Sequence, residues 1–234
     1  MSAGSESGFR YIGKKRRTKE DPRFVTGNGR FVADIALPGM KHVALLTSPH
    51  AAARIKAIRT DKALALSGVH YVLTGAELCA GTEALLPGVD APKVRRYPLA
   101  HEVVRYAGEW VAAVVADTRA LAEDAAEKLE VEYEPTDYVL DPEKAILPDS
   151  KLVHPLHGSN VLYRRKFVWG PVEEDFARAE HQLTLRVRWG RNATVPIETF
   201  GVAAQWHPGQ QLLDVWASIQ MPKYPDQTAR ALRL

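Results

Sequence analysis

A hydroxyl two residues from an imidazole, as at Ser48-Pro49-His50, is the raw material of a base-activated serine nucleophile. The proline between them fixes an extended geometry rather than a catalytic contact, so His50 is expected to pack or hydrogen-bond. His154-Pro155-Leu156-His157 could place two imidazoles on one zinc ion. No Cys, Asp or Glu nearby completes the set, and the proline-rich surroundings read as a connector. Gly27-Asn28-Gly29 holds two of the three glycines of a dinucleotide fingerprint, but no strand feeds it into a helix, and it is read as a turn. The single cysteine, Cys79, excludes an intrachain disulfide and any thiolate-bound zinc or iron-sulfur cluster made by this chain alone. It is expected to be a small buried hydrophobe in a reducing compartment. Asn192-Ala193-Thr194 matches a glycosylation sequon by pattern only.

Composition narrows the function classes. With 46% hydrophobic and 25% charged residues, the 234-residue chain is an ordinary soluble globular one, long enough for one large or two modest domains. Lys plus Arg at 31 against Asp plus Glu at 28 leaves +3, too small a bias to argue for nucleic acid or an anionic membrane. The basic run Lys14-Lys15-Arg16-Arg17 has no stacking or groove-reading element beside it and is read as part of a solvated or draped tail. The N-terminus lacks an apolar core ahead of a cleavage site, and no stretch approaches the ~18 apolar residues of a membrane span. The expected location is cytoplasmic, with no membrane span and no nucleic-acid partner.

These side chains need elements to position them, and short alternating strands and helices are expected from Arg30 onward. Strands are predicted at His42 to Thr47, Ile55 to Arg59, Val69 to Leu73, Glu102 to Tyr106, Glu109 to Ala116 and Leu129 to Tyr133. Thr74 with Glu77 three residues on is a capping-box signal for a short helix. Asp61 to Leu66 is a helical turn, Arg119 to Lys128 the clearest helix, and Gly81 to Pro98 a loop. A long connector runs from Pro135 to about Gly170. Beyond it come a helix at Pro171 to Glu180, a half-buried strand at Gln182 to Trp189, and a hairpin of Phe200 to Trp206 with Leu212 to Ser218. A last helix from Met221 is expected to run to the end at Leu234. The predicted domains are a basic tail at 1–20, a mixed domain at 21–150 and a second at 151–234. Trp189, Trp206 and Trp216 are expected in the core, with Trp169 as an interface anchor.

The runs DPRFVTGNGRFVADIALPGM (Asp21 to Met40), LLTSPHAAARI (Leu45 to Ile55) and VRYAGEWVAAVVADTRALAEDAAEKLEVEYEPT (Val104 to Thr136) resemble the N-terminal hammerhead domain of the xanthine dehydrogenase and aldehyde oxidase family. Where members commonly carry Gly-x-Pro-Val-Ala, this chain has Gly108-Glu109-Trp110-Val111-Ala112. The likeness continues through GPVEEDFARAEH (Gly170 to His181), VPIETFGVAAQW (Val195 to Trp206) and LDVWASIQMP (Leu213 to Pro222). It implies an α+β fold: a hammerhead domain followed by the N-terminal portion of a molybdopterin-binding domain.

The resemblance also implies a function. A strand ending Ser-x-Gln delivers a glutamine to an oxo ligand of the molybdenum in that family, and the matching residue is Gln220. A primary amide can donate there without adding charge or titrating; the competing reading is a glutamine that caps the following helix. Glu198 matches a structural Pro-x-Glu segment, not the catalytic glutamate, whose Gly-Glu-x-Gly context is absent along with most cofactor loops. The chain is therefore expected to be part of the molybdenum subunit of a multi-subunit hydroxylase using water-derived oxygen, inactive alone. Its cofactor would be molybdenum-molybdopterin, shared with the remainder of the subunit, with iron-sulfur and FAD subunits as partners. Its stop at Leu234 fits either a split subunit or a fragment. A non-catalytic assembly module with the hammerhead fold is the alternative.

Overall fold

The computed structural model describes residues 9–85, 94–190, 192–221 and 223–234. It falls into two compact units, Met1–Leu37 with Gly190–Gln220, and Pro38–Trp189 with Met221–Leu234. The predicted loop at Gly81 to Pro98 lies partly outside the described residues, as does the start of the predicted tail.

In the first unit, α1 (Asp21–Val25) follows Thr18, whose Oγ1 accepts the Asp21 amide at 3.2 Å. Gly27-Asn28-Gly29 is a turn: Gly27 sits at φ +73°, and the Asn28 amide donates to the Arg23 carbonyl at 2.7 Å. A Cβ on Gly29 would lie 2.6 Å from Phe24 Cδ1, so glycine there lets the chain fold back over Phe24.

In the second unit, β1 (His42–Thr47), β2 (Ala53–Arg59), α2 (Asp61–Leu64), β3 (Val69–Thr74), α3 (Gly75–Gly81), β4 (Val103–Val104), β5 (Trp110–Ala116), α4 (Arg119–Ala126) and β6 (Glu130–Pro135) follow in order. They make two antiparallel sheets, β1-β5-β3 and β4-β2-β6. Strand β5 is apolar throughout because its alternate residues face different cores. Ala112, Val114 and Ala116 join Val72 and the α4 alanines Ala122, Ala125 and Ala126, while Val111 joins Ala53, Ala100 and Val104. The alanines of α4 let the helix approach the sheet closely. Thr118 caps it by accepting the Leu121 amide at 3.2 Å.

The capping box of α3 forms as its spacing predicts. Thr74 N donates to Glu77 Oε2 at 2.9 Å and Glu77 N to Thr74 Oγ1 at 3.4 Å. The Thr74 amide first, and then the Thr74 hydroxyl donating to the same Oε2 at 2.9 Å, hold the Glu77 carboxyl below its ordinary value. Strand β4 is shorter than predicted, since Glu102 bends into the left-handed region at φ +64°.

Short α5 (Pro142–Ala145) interrupts the connector, and α6 (Val172–Arg178) follows it. The expected strand at 182–189 does not form: the segment joins no sheet among the described residues, and Leu183, Leu185, Val187 and Trp189 are 72–82% exposed. Its alternation provides an apolar face, but a strand also needs a neighbour for its backbone groups. Core burial also fails for Trp206, 45% exposed, and Trp216, half-buried. Each lies on a hairpin that forms a two-stranded sheet of its own. Trp169 is exposed and stacked on Phe167.

The last helix, α7 (Tyr224–Leu232), stops short of the predicted end. Arg233 turns left-handed, its amide donating to the Arg230 carbonyl and that of Leu234 to Ala229 at 2.9 Å, the hydrogen-bond pattern of a Schellman motif.

Candidate functional site

The first unit carries the site residue that the sequence singles out. Strands β7 (Val202–His207) and β8 (Leu212–Ala217) pair antiparallel with Val202 opposite Ala217 and His207 opposite Leu212. The turn between them is closed by the Gln210 amide on the His207 carbonyl at 3.1 Å. His207 Nε2 and Asp214 Oδ2, 3.0 Å apart, tie the two strands together by their side chains.

At the open end of the hairpin, residue 218 is fastened to the segment before β7 by three hydrogen bonds. The Ser218 amide donates to the Gly201 carbonyl at 3.1 Å. The Ser218 hydroxyl accepts the Gly201 amide at 2.9 Å and donates to the Thr199 carbonyl at 3.1 Å. One residue on, the Ile219 amide closes a three-residue turn onto the Ala217 carbonyl at 3.1 Å. Gln220 follows, exposed, its carboxamide without a partner among the described residues. It does not cap α7, whose N-cap is Lys223 with no side-chain cap.

Glu198 has a structural task in the same place. Its half-buried carboxylate accepts the Val32 amide at 3.1 Å, fixing the 198–201 segment to the turn at Val32–Asp34. Gly201 completes that contact, since a Cβ there would lie 3.2 Å from Val32 Cγ1.

The other sequence candidates are scattered in the second unit and serve its packing. Ser48, 2% exposed, accepts the His50 amide on its hydroxyl at 3.1 Å, so the hydroxyl closes a turn over Pro49. The His50 ring packs edge-on against Tyr133, centroids 4.9 Å apart. His157 Nε2 lies 3.2 Å from the Val161 carbonyl. His154 is held below the ordinary histidine range by burial, with Arg105, Arg96 and His157 adding to it. No group of three or more His, Cys, Asp or Glu suited to a metal occurs among the described residues. Cys79 is half-buried rather than buried, and its thiol, with burial, raises the Tyr97 phenol.

Sequence reasoning gave Ser218 no role beyond its place in the Ser-x-Gln motif and passed over Gly201. The available signal was a hydroxyl at a strand end paired with a glycine at the start of the preceding strand, a pairing that appears only once the hairpin register is known.

Two family models match this chain: "Aldehyde oxidase and xanthine dehydrogenase, a/b hammerhead domain" over residues 26–137, and "Molybdopterin cofactor-binding domain" over residues 153–233. The chain belongs to the aldehyde oxidase and xanthine dehydrogenase family. Among its relatives, the nicotine 6-hydroxylase large subunit of Paenarthrobacter nicotinovorans is 38% identical over 216 residues, covering 91% of this chain and 26% of that one. The carbon monoxide dehydrogenase large chain of Hydrogenophaga pseudoflava is 34% identical over 219 residues, covering 87% and 27%. Quinoline 2-oxidoreductase from Pseudomonas putida 86 superposes with a TM-score of 0.83 at 35% identity, covering 92% of this chain and 28% of that one. The chain thus spans about a quarter of the length of these relatives. Its fold is the mixed helix and strand fold of the family's large subunits, a hammerhead domain with a molybdopterin-binding one. No helix among the described residues is long and apolar enough to cross a membrane.

Proposed function

We propose that this chain is part of the molybdenum subunit of a multi-subunit oxidoreductase. The enzyme hydroxylates an aldehyde or heterocycle-type substrate with water-derived oxygen and passes electrons to iron-sulfur and FAD subunits. The observation that carries this reading is the end of β8, where the backbone is fastened at Ser218 and the Gln220 carboxamide is exposed and without a partner among the described residues. Family membership and the large-subunit relatives support the multi-subunit form.

The residues present fit the cofactor. A neutral carboxamide offers two N–H donors and an acceptor, carries no charge and does not titrate, which suits a group that orients a metal ligand by hydrogen-bonding to it. When bound, the molybdenum cofactor supplies the oxidation itself. Gln220 would hold it by donating from its side-chain nitrogen, with 198–201 and β8 as the support. No Gly-Glu-x-Gly occurs among these 234 residues, and in this proposal they turn over substrate only within the assembled enzyme. In this proposal 1–20 is a basic extended tail, 21–150 the hammerhead domain and 151–234 the start of the first molybdopterin-binding domain. The family matches at 26–137 and 153–233 support that division. The lone cysteine supports a cytoplasmic location.

The test is Gln220→Ala in the assembled enzyme, assayed on aldehydes and aromatic N-heterocycles with molybdenum content measured in parallel. Turnover is expected to fall about 10- to 100-fold, the range typical of outer-sphere substitutions, with the metal retained. Unchanged turnover would favour a hammerhead module that only assembles other subunits.

A further inference from the structure

We infer that Ser218 is a positioning residue for the Gln220 carboxamide, acting by locking the end of β8 to the Thr199–Gly201 segment. The inference rests on the reading of Gln220 given above.

Three features of the site carry it. The Ser218 hydroxyl makes both of its bonds to one short stretch of backbone, accepting from Gly201 N at 2.9 Å and donating to the Thr199 carbonyl at 3.1 Å. A hydroxyl is the smallest side-chain group that can do both. With the Ser218 amide also bonded to the Gly201 carbonyl at 3.1 Å, residue 218 has little freedom to shift or rotate. The stretch it grips is itself held, because Glu198 accepts the Val32 amide at 3.1 Å and Gly201 packs closely on Val32, where an added Cβ would lie 3.2 Å from Val32 Cγ1. Gln220 lies only two residues further on and has no partner of its own among the described residues. Its placement must come from the backbone that delivers it. The Ser218 hydroxyl is the last side-chain anchor on that backbone before the glutamine.

Ordinary strand pairing accounts for the backbone part of this lock but not for the hydroxyl. The last paired residues are Val202 and Ala217. Beyond them Ser218 extends the registration by one residue through its side chain, just where the three-residue turn at Ala217–Ile219 redirects the chain. Removal of the hydroxyl leaves the hairpin intact and frees the turn, so the defect should appear in what Gln220 does rather than in folding.

The experiment compares Ser218→Ala, Ser218→Thr and Gln220→Ala in the assembled, molybdenum-loaded enzyme. The readouts are kcat and KM separately, the electron paramagnetic resonance signal after dithionite reduction, and amide exchange at Gly201. Ser218→Ala is expected to lower kcat about tenfold with KM little changed, the lower end of the outer-sphere range. It should also alter the reduced-metal signal in the same direction as Gln220→Ala and speed exchange at Gly201. Ser218→Thr keeps the hydroxyl and should restore kcat and signal. If Ser218→Ala fails to assemble, Ser218→Cys, with its weak donor, should assemble and show the same spectral change. Wild-type kcat and signal in Ser218→Ala, beside an impaired Gln220→Ala, would overturn the positioning role and leave the reading of Gln220 standing. A silent Gln220→Ala would overturn both.

Discussion

Asp117 shows how a single exposed carboxylate can tie three strand ends together. It sits just past β5 and takes a hydrogen bond from Lys41, the residue before β1, while its Oδ1 lies 2.8 Å from His70 Nε2 on β3. The Lys41 hydrogen bond first, then the His70 one, lower its carboxyl to about 2. A carboxyl that titrates lower in the folded state adds stability above its unfolded value of roughly 4 and loses it as pH falls through the folded one. Asp117→Asn should therefore reduce the melting temperature at neutral pH, and the gap from wild type should close as pH is lowered from about 4 towards 2. A gap independent of pH would mean that the carboxylate charge is not what ties the strands. Gly75 makes a steric prediction at the same scale. A Cβ there would lie 1.8 Å from the Ala100 carbonyl oxygen, and backbone cannot swing aside as a side chain can. Gly75→Ala should cost about 3 kcal/mol in denaturant unfolding, the upper end for overpacked sites.

Elements were legible in the sequence where one neighbour sufficed to define them. The Thr74–Glu77 spacing reads directly as the start of α3, and the unbroken apolar run of β5 as a central strand, because each signal is local. Thr74→Ala should cost about 1 kcal/mol, the typical loss for an N-cap, measured by urea titration. The close fit of α4 predicts that Ala125→Leu destabilises by about 1–3 kcal/mol, as Ala125 is fully buried under the sheet. The segment 182–189 was misread because alternation reports only which face wants burial, not whether a neighbour exists to pair with. Gln220 was legible only through family likeness, and Ser218 only as the first residue of the Ser-x-Gln motif, since its own role depends on the β7–β8 register bringing Gly201 opposite it.

Across the molecule, large apolar side chains stand open to solvent, among them Phe167, Trp169, Leu185, Val187 and Trp189. Exposed apolar side chains clustered in this way mark surfaces made to be covered. Purified alone, the chain should bind the dye ANS and elute as a broad, self-associated species, whereas a dye-free, cooperatively melting monomer would contradict a subunit role. In the function proposed above, the end of β8 presents Gln220 to a molybdenum cofactor. The direct measurement is a cryo-electron microscopy structure of the assembled, molybdenum-loaded complex. The Gln220 side-chain nitrogen is expected about 3 Å from a ligand of the metal, at hydrogen-bond distance, with Ser218 still bonded to Thr199 and Gly201. A cofactor lodged elsewhere, with Gln220 facing solvent or another chain, would contradict it.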